Sequence, residues 1–249
     1  MPKPRFVLSY GGGVNSAALM VLLLRRRRRL DEVVFADTGG ELPETYQYIK
    51  LVRQFLSDRG IPFTTVAARV SGTDLYTTSL RRKVIPSALW RWCTRDFKVD
   101  PIHRHYETLG IRINQYLAIA YDEFYRMKDS THPLVRNLYP LVELKVTRED
   151  CLTLIRDAGL PVPIKSACFF CPFGSVGRWE YIFRRHPELY EKAMVLEETS
   201  KHFPQQRLVD QAYRRKTNLT LRELRHRFER NEDVPDGLEE SPCGAECLT

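Results

Sequence analysis

The stretch FVLSYGGGVNS at residues 6–16 decides the fold of this chain. Its apolar first half predicts a short buried strand, the glycines at 11–13 predict a tight turn, and a helix follows from about Asn15. Glycine has no Cβ, so such a turn can adopt positive φ angles and approach a ligand closely. The helix points its free N–H groups and its positive dipole end into the turn. Together these features predict a nest that binds phosphate, with a glycine-rich turn that holds no ligand as the alternative.

Strand and helix patterns alternate after this turn. Strands are predicted at 5–9, 32–36, 62–66 and 115–119, and helices at 15–28, 43–58, 74–80 and 99–108. This alternation predicts an α/β fold with a doubly wound, mainly parallel sheet and helices on both faces. From Trp179 onward the pattern is helical and basic. We therefore expect a nucleotide-binding domain with a cysteine site at 1–175 and a helical C-terminal extension with a cysteine-containing tail at 176–249.

The glycine turn differs from two common phosphate-binding loops. It lacks the Gly-Lys-Ser/Thr of a Walker A loop and the G-x-G-x-x-G of dinucleotide-binding folds. It resembles the S-G-G-x-D-S loop of the PP-loop ATP pyrophosphatases, although Gly11 stands where Ser is usual and Asn15 where Asp is usual. The resemblance implies an adenine nucleotide alpha-hydrolase-like fold that binds ATP with Mg through Ser9, Gly11, Gly12, Gly13, Asn15 and Ser16.

A second segment, residues 33–40, predicts a buried strand that ends in a polar turn, and residues 42–45 open the next helix. Asp37 thus lies at the carboxyl end of a strand, where α/β folds bind ligands. Its alternative role is to form the turn or cap the helix. The run D-T-G followed by P-E-T resembles the phosphoadenylyl-sulfate (PAPS) reductase branch of the superfamily, which implies that Asp37, Thr38 and Gly39 contact the nucleotide or its metal.

The cysteines extend this resemblance. Reductases of the adenylyl-sulfate type carry C-C-x-x-x-K-x-x-P and later C-x-x-C, and residues 91–101 and 168–172 of this chain are similar. Trp92 replaces the first tandem cysteine. The resemblance therefore implies three metal ligands in place of the family's four, namely Cys93, Cys168 and Cys171.

The run AIAYDEFYR at residues 118–126 is close to the family's G-x-R-x-x-E-S-x-x-R motif. Glu123 matches its glutamate, Arg126 falls near its last position, and Ala120 replaces the internal arginine. The resemblance, which covers about residues 5–175, implies that Arg126 and Lys98 stabilise negative charge on phosphate oxygens.

The cysteine set leaves the metal open. Three thiolates can hold a [4Fe–4S] cluster with one iron free for sulfide or substrate, as the resemblance to PP-loop tRNA thiolation enzymes implies. Zinc is the alternative, and a structural zinc would take its fourth ligand from Cys151, Cys243, Cys247 or a histidine. Cys151 falls in an amphipathic helix pattern and is predicted to be a small buried side chain.

Composition and charge narrow the class of protein. The 249 residues carry a net charge of +8, which favours an anionic partner such as nucleic acid. Six cysteines without a signal peptide indicate thiols or metal ligands, and no apolar run is long enough for a bilayer, so we expect a cytoplasmic protein. A basic cluster with interleaved Trp90 and Trp92 suits phosphate contact and base stacking; its members are Arg81, Arg82, Lys83, Arg91, Arg95 and Lys98.

These motifs favour an enzyme that cleaves ATP to AMP and pyrophosphate, adenylates a substrate and transfers sulfur to it. The expected partners are ATP, a tRNA or DNA acceptor and a sulfur donor protein or sulfide, and a homodimer is an open alternative. A second hypothesis is a sulfonucleotide reductase, because Glu246-Cys247 resembles the reductase ending, with Cys247 as nucleophile. A third is a nucleic-acid-binding module without turnover, because fold does not fix function.

Overall fold

The computed structural model describes residues 3–68, 73–87, 90–209 and 219–232. Within these ranges five parallel strands form one sheet in the order β3-β2-β1-β4-β5. The strands are β1 (Arg5–Tyr10), β2 (Glu32–Asp37), β3 (Phe63–Ala67), β4 (Ile113–Tyr116) and β5 (Val135–Leu138). The strand order reverses at β1, which pairs with β2 on one side and β4 on the other. In such sheets ligands bind beyond the carboxyl ends of the strands at this switch point.

Ten α-helices lie within the described ranges: α1 (Val14–Arg25), α2 (Pro43–Ser57), α3 (Leu75–Arg82), α4 (Trp92–Thr94), α5 (Asp100–Leu109), α6 (Pro140–Glu143), α7 (Arg148–Asp157), α8 (Val176–Arg185), α9 (Pro187–Thr199) and α10 (Leu221–Glu229). A π-helical turn (Arg95–Val99) joins α4 to α5, and a 3₁₀ segment (Tyr121–Arg126) follows β4. No helix of the described ranges has both the length and the apolar character that a bilayer crossing requires.

Apolar side chains pack on both faces of the sheet. On one face α1, α2 and α7 share a core with Leu8 of β1, and on the other α5 contributes Ile102 and Tyr106 against Val7. Helices α8, α9 and α10 form a further cluster around Trp179, which also includes residues 168–170. The predicted doubly wound α/β fold with a helical C-terminal region is thus confirmed, whereas the domain boundary at 175/176 stays a prediction.

Three elements differ from the sequence prediction. The fourth strand ends at Tyr116, although the apolar run at 117–120 is equally buried, because these residues leave the sheet and lead into the 3₁₀ segment. Strand β5 was missed because its sequence, VRNL, is short and polar and pairs only with β4 at the sheet edge. Helix α1 ends at Arg25, three residues early, since Arg27 has a φ of +50°.

Candidate nucleotide and thiol site

The glycine turn follows β1 directly and opens α1. Gly12 has a φ of +78°, and a Cβ at this position would lie 3.1 Å from Cγ2 of Thr45 in α2. Gly13 caps α1 with extended backbone and no capping side chain, so the helix end offers its N–H groups to the turn. The hydroxyl of Ser166 donates to the carbonyl oxygen of Gly11 at 2.6 Å and fixes the turn from outside. These features fit an anion-binding nest.

Asn15 connects the nest to the buried ion pair between Glu123 and Arg126. Its amide nitrogen donates to Oε2 of Glu123 at 3.3 Å, and its amide oxygen accepts from Arg148 at 3.1 Å. Arg126 lies 2.9 Å from Oε1 of Glu123, and both side chains are buried. Burial raises the pKa of Glu123, and the positive charge of Arg126 acts against that rise. An amide at position 15 can donate to this carboxylate, which an ionised aspartate cannot.

Ser9 and Ser16 flank the turn. The hydroxyl of Ser16 donates to the carbonyl oxygen of Gly13 at 2.9 Å, within the first turn of α1. The hydroxyl of Ser9 is buried on β1 and has no hydrogen-bond partner in the described part of the chain. Their predicted contacts with a nucleotide stay predictions.

Asp37 ends β2 and organises the next turn. Its Oδ1 accepts from the backbone N–H of Gly39 and from the hydroxyl of Tyr46, each at 2.8 Å. Burial, together with the Asp37 carboxylate, raises the pKa of Tyr46. Asp37 therefore forms the turn, as its alternative role required, and still lies at the carboxyl edge of the sheet. Nucleotide contact by Asp37, Thr38 and Gly39 stays a prediction.

The three predicted cysteines line one pocket. Cys168 is buried, and its Sγ lies 3.2 Å from the hydroxyl of Thr38, with which it shares a hydrogen bond. The N–H of Cys171 donates to the carbonyl oxygen of Cys168 at 3.0 Å, so the C-x-x-C run is a tight turn. Cys93 reaches the same pocket from α4. The lining comprises Thr38, Leu75, Pro86, Ser87, Arg91, Cys93, Thr94, Lys98, Ala167, Cys168, Cys171, Pro172 and Phe173.

The pocket brings three cysteine thiols to one cavity, but the thiols are not arranged around a single metal position. Among the described residues, no three His, Cys, Asp or Glu side chains are close enough to bind one metal ion. Burial raises the pKa of the Cys168 thiol, Glu41 adds to that rise, and Lys98 opposes it. Three thiols around one cavity fit the ligands that an iron–sulfur cluster or zinc requires, provided that they approach each other further on binding.

Lys98 lies in the thiol pocket. Its Nζ is 3.5 Å from Oε1 of Glu41, a carboxylate with no exposed surface. Glu41 also forms an isolated antiparallel bridge with Cys168 through the backbone. Glu41 was not predicted as a site residue, although an acidic residue between a glycine pair and an apolar helix start was a usable signal. Ser166 and Arg148 were not predicted either, because no local sequence pattern marks their contacts with the nest.

One short run joins the nest to the pocket. Ser166 donates to Gly11 in the nest, and Cys168, two residues later, contacts Thr38. Helix α8 supports this run because the Arg178 guanidinium donates to the carbonyl oxygens of Lys165 and Ala167 at 2.8 and 2.6 Å. One segment of the chain, residues 166–168, therefore contacts both the nest and the thiol pocket.

Two other cysteine predictions have different outcomes. Cys151 is fully buried in α7, as expected, and burial raises the pKa of its thiol to about 12. It does not line the thiol pocket. Cys243 and Cys247 lie outside the described residues, so the predicted nucleophile stays a prediction.

The parallel sheet, the glycine nest and the adjoining site define the class of this protein as a PP-loop α/β domain. The chain belongs to the phosphoadenosine phosphosulfate reductase domain family, which it matches over residues 5–180. The family that the sequence motifs predicted is therefore confirmed. No relative with a curated description matches the chain.

Two solved structures are similar in fold. One is phosphoadenylyl-sulfate (PAPS) reductase from Candida auris in a phosphate complex, at 14% identity and a TM-score of 0.44, covering 65% of this chain and 76% of that one. The other is the U34-tRNA thiolase NcsA from Methanococcus maripaludis with its [4Fe-4S] cluster, at 14% identity and a TM-score of 0.40. This match covers 79% of this chain and 70% of that one.

Proposed function

We propose that this protein binds ATP in the nest and transfers its AMP part to a substrate oxygen with release of pyrophosphate. Sulfur then replaces that oxygen, which leaves as part of AMP. The acceptor is a nucleobase of tRNA or DNA. The observation that carries the proposal is that the run from Ser166 to Cys168 contacts both the nest and the thiol pocket. A site built only to bind a nucleotide needs no three-thiol pocket beside it.

The nest has the groups to hold the pyrophosphate part of ATP. The N–H groups at the start of α1 and the amide and hydroxyl of Ser16 donate to phosphate oxygens. Asp37, at the end of β2, contacts the nucleotide or its Mg²⁺. Arg126, held by Glu123, stabilises negative charge that develops during cleavage. Lys98 provides the corresponding charge from the side of the thiol pocket.

Cys93, Cys168 and Cys171 would hold the sulfur-bearing metal centre in this proposal. A [4Fe–4S] cluster on three thiolates, when bound, supplies sulfur chemistry at its open iron. Zinc in the same pocket would leave the protein an ATP-dependent adenylating enzyme or a nucleic-acid-binding module. Lys98 and Glu41 lie against these thiols and set the charge of the pocket wall.

Single-turnover formation of AMP and pyrophosphate from ATP tests the proposal, with unmodified tRNA or single-stranded DNA as acceptor and sulfide as donor. Ser16→Ala should reduce AMP formation at least tenfold, because it removes a phosphate donor. Ser79→Ala is the matched control, since its buried hydroxyl also donates within its own helix, to Leu75 at 2.8 Å, but is not part of the nest. Equal AMP formation by the Ser16 variant and wild type, or release of ADP instead, contradicts the proposal.

Sulfonucleotide reduction is the second candidate, favoured by the family match over residues 5–180. It requires a thiol nucleophile, for which Cys247 is the proposed residue. Attack by the Cys247 thiolate would leave the sulfonate on that sulfur, and a dithiol reductant must then release sulfite and take up the oxidising equivalents as a disulfide. Sulfite release from PAPS or adenylyl sulfate with dithiol and without ATP, lost in Cys247→Ser and kept in Cys243→Ser, would establish it. Absence of sulfite together with AMP formation from ATP would exclude it.

A further inference from the structure

Exposed cations lie on two segments that adjoin lining residues of the thiol pocket in sequence, namely the end of α3 and the π-helical turn. We call this surface the basic rim, and its members are Arg81, Arg82, Lys83, Arg95 and Lys201. Arg82 and Arg95 both contact one carboxylate, Asp96, at 3.6 and 2.8 Å. The N–H of Lys201 donates to the carbonyl oxygen of Lys83, which brings the last lysine to the same surface. Because two guanidinium groups share this one carboxylate, the positive charge around Asp96 exceeds the negative charge.

Trp90 stands at this rim with 80% of its surface exposed, the largest exposed fraction among the described large apolar side chains. Its backbone is fixed, because its N–H donates to the hydroxyl of Ser87 at 3.3 Å, and Ser87 lines the thiol pocket. The neighbouring Trp92 behaves differently. Its indole N–H donates to the carbonyl oxygen of Ile85, and Arg82 covers its ring at 5.5 Å. Trp90 therefore offers a largely exposed ring, and its backbone is hydrogen-bonded to a residue of the pocket lining.

We propose that the basic rim and Trp90 bind single-stranded nucleic acid, with the phosphates on the rim and a base stacked on Trp90. An adjacent base then reaches the mouth of the thiol pocket. Exposed aromatic rings among cations suit single strands, because a duplex keeps its bases stacked on one another. A single ring among five cations is too small an apolar patch for a stable protein interface. The binding claim stands alone, and only its link to sulfur transfer rests on the proposed function.

Fluorescence anisotropy with labelled single strands of about a dozen nucleotides tests the binding claim without ATP or sulfide. Trp90→Ala should weaken binding about fivefold or more, and Trp90→Phe should keep most of the affinity. Tyr125→Ala is the matched control, since it removes another exposed ring, 68% exposed, which lies in the 3₁₀ segment after β4 and on none of the segments that carry the basic rim. RNA and DNA strands are compared, and the tighter one identifies the natural strand.

The charge of the rim is tested by salt dependence. Lys83→Gln should lower the slope of log affinity against log salt by about one, whereas Lys50→Gln, an exposed lysine in α2, should leave it unchanged. Equal binding by Trp90→Ala and wild type, equal loss in Tyr125→Ala, or preference for a duplex of the same sequence would each overturn the inference. AMP formation is measured separately, so binding without AMP contradicts the proposed function alone, and AMP without binding contradicts this inference alone.

Discussion

Gly12 determines the backbone shape of the nest. Its φ of +78° is strained for any residue with a Cβ, and the nearest neighbour, Thr45, leaves only 3.1 Å for one. The sequence predicted this role, because three consecutive glycines between a strand and a helix have few other uses. It did not predict that Ser166, far along the chain, holds the turn.

Gly12→Ala should therefore impair nucleotide binding. We expect a loss of about 1–2 kcal/mol in the free energy of unfolding and at least a tenfold weaker affinity for ATP. Gly60→Ala is the matched control, because Gly60 has a φ of +68° but nothing within 4 Å of an added Cβ. Urea unfolding and calorimetric ATP titration separate the two effects. Normal ATP binding by the Gly12 variant would refute the assignment of the nest.

Local patterns predicted the elements that carry the site. The run Thr147-Arg148-Glu149-Asp150 forms a capping box at the start of α7, where Thr147 and Asp150 exchange backbone and side-chain hydrogen bonds. The C-x-x-C spacing identified the thiol turn. Glu41 and Arg148 were missed because their roles come from contacts between distant segments, and a single charged residue produces no periodic signal. Strand β5 was missed for a related reason, since an edge strand need not alternate strictly.

Helix α9 holds the C-terminal segment through one buried carboxylate. Glu197 accepts from the N–H groups of Leu208 and Leu221 at 2.7 and 2.8 Å, which fixes the start of α10. Burial raises the pKa of Glu197 to about 7, although both hydrogen bonds act against that rise. The folded protein therefore binds a proton more tightly than the unfolded chain does. The contribution of this group to stability is largest below about pH 4.5 and falls as the pH rises to 7.

Glu197→Gln removes this titration. The unfolding free energy of wild type relative to the variant should fall by up to about 3 kcal/mol between pH 4.5 and 7. Chemical denaturation across this range measures the difference. Glu198→Gln, which removes an ion pair with Arg222 at 2.7 Å, is the control and should show no comparable trend. A wild-type-to-Glu197→Gln difference that is constant with pH would contradict the assignment.

The C-terminal helices support the nucleotide and thiol site that lies at the carboxyl edge of the sheet. Arg178 of α8 holds the run that precedes Cys168, and His186 lies 2.8 Å from Glu44 at the start of α2. The strand order reverses at β1, so the nest opens at the edge where Thr38 contacts the thiol pocket. We therefore expect that the nest and the pocket act together in one reaction.

Metal analysis of protein purified without oxygen tests most directly whether Cys93, Cys168 and Cys171 hold an iron–sulfur cluster. We predict a brown protein with about four iron and four sulfide per chain. Cys168→Ser should lose the colour and the iron, and Cys151→Ala, which removes a buried thiol outside the pocket, should keep both. A colourless protein, one zinc per chain, or iron retained in Cys168→Ser would contradict the claim that these three cysteines form a sulfur-transfer centre.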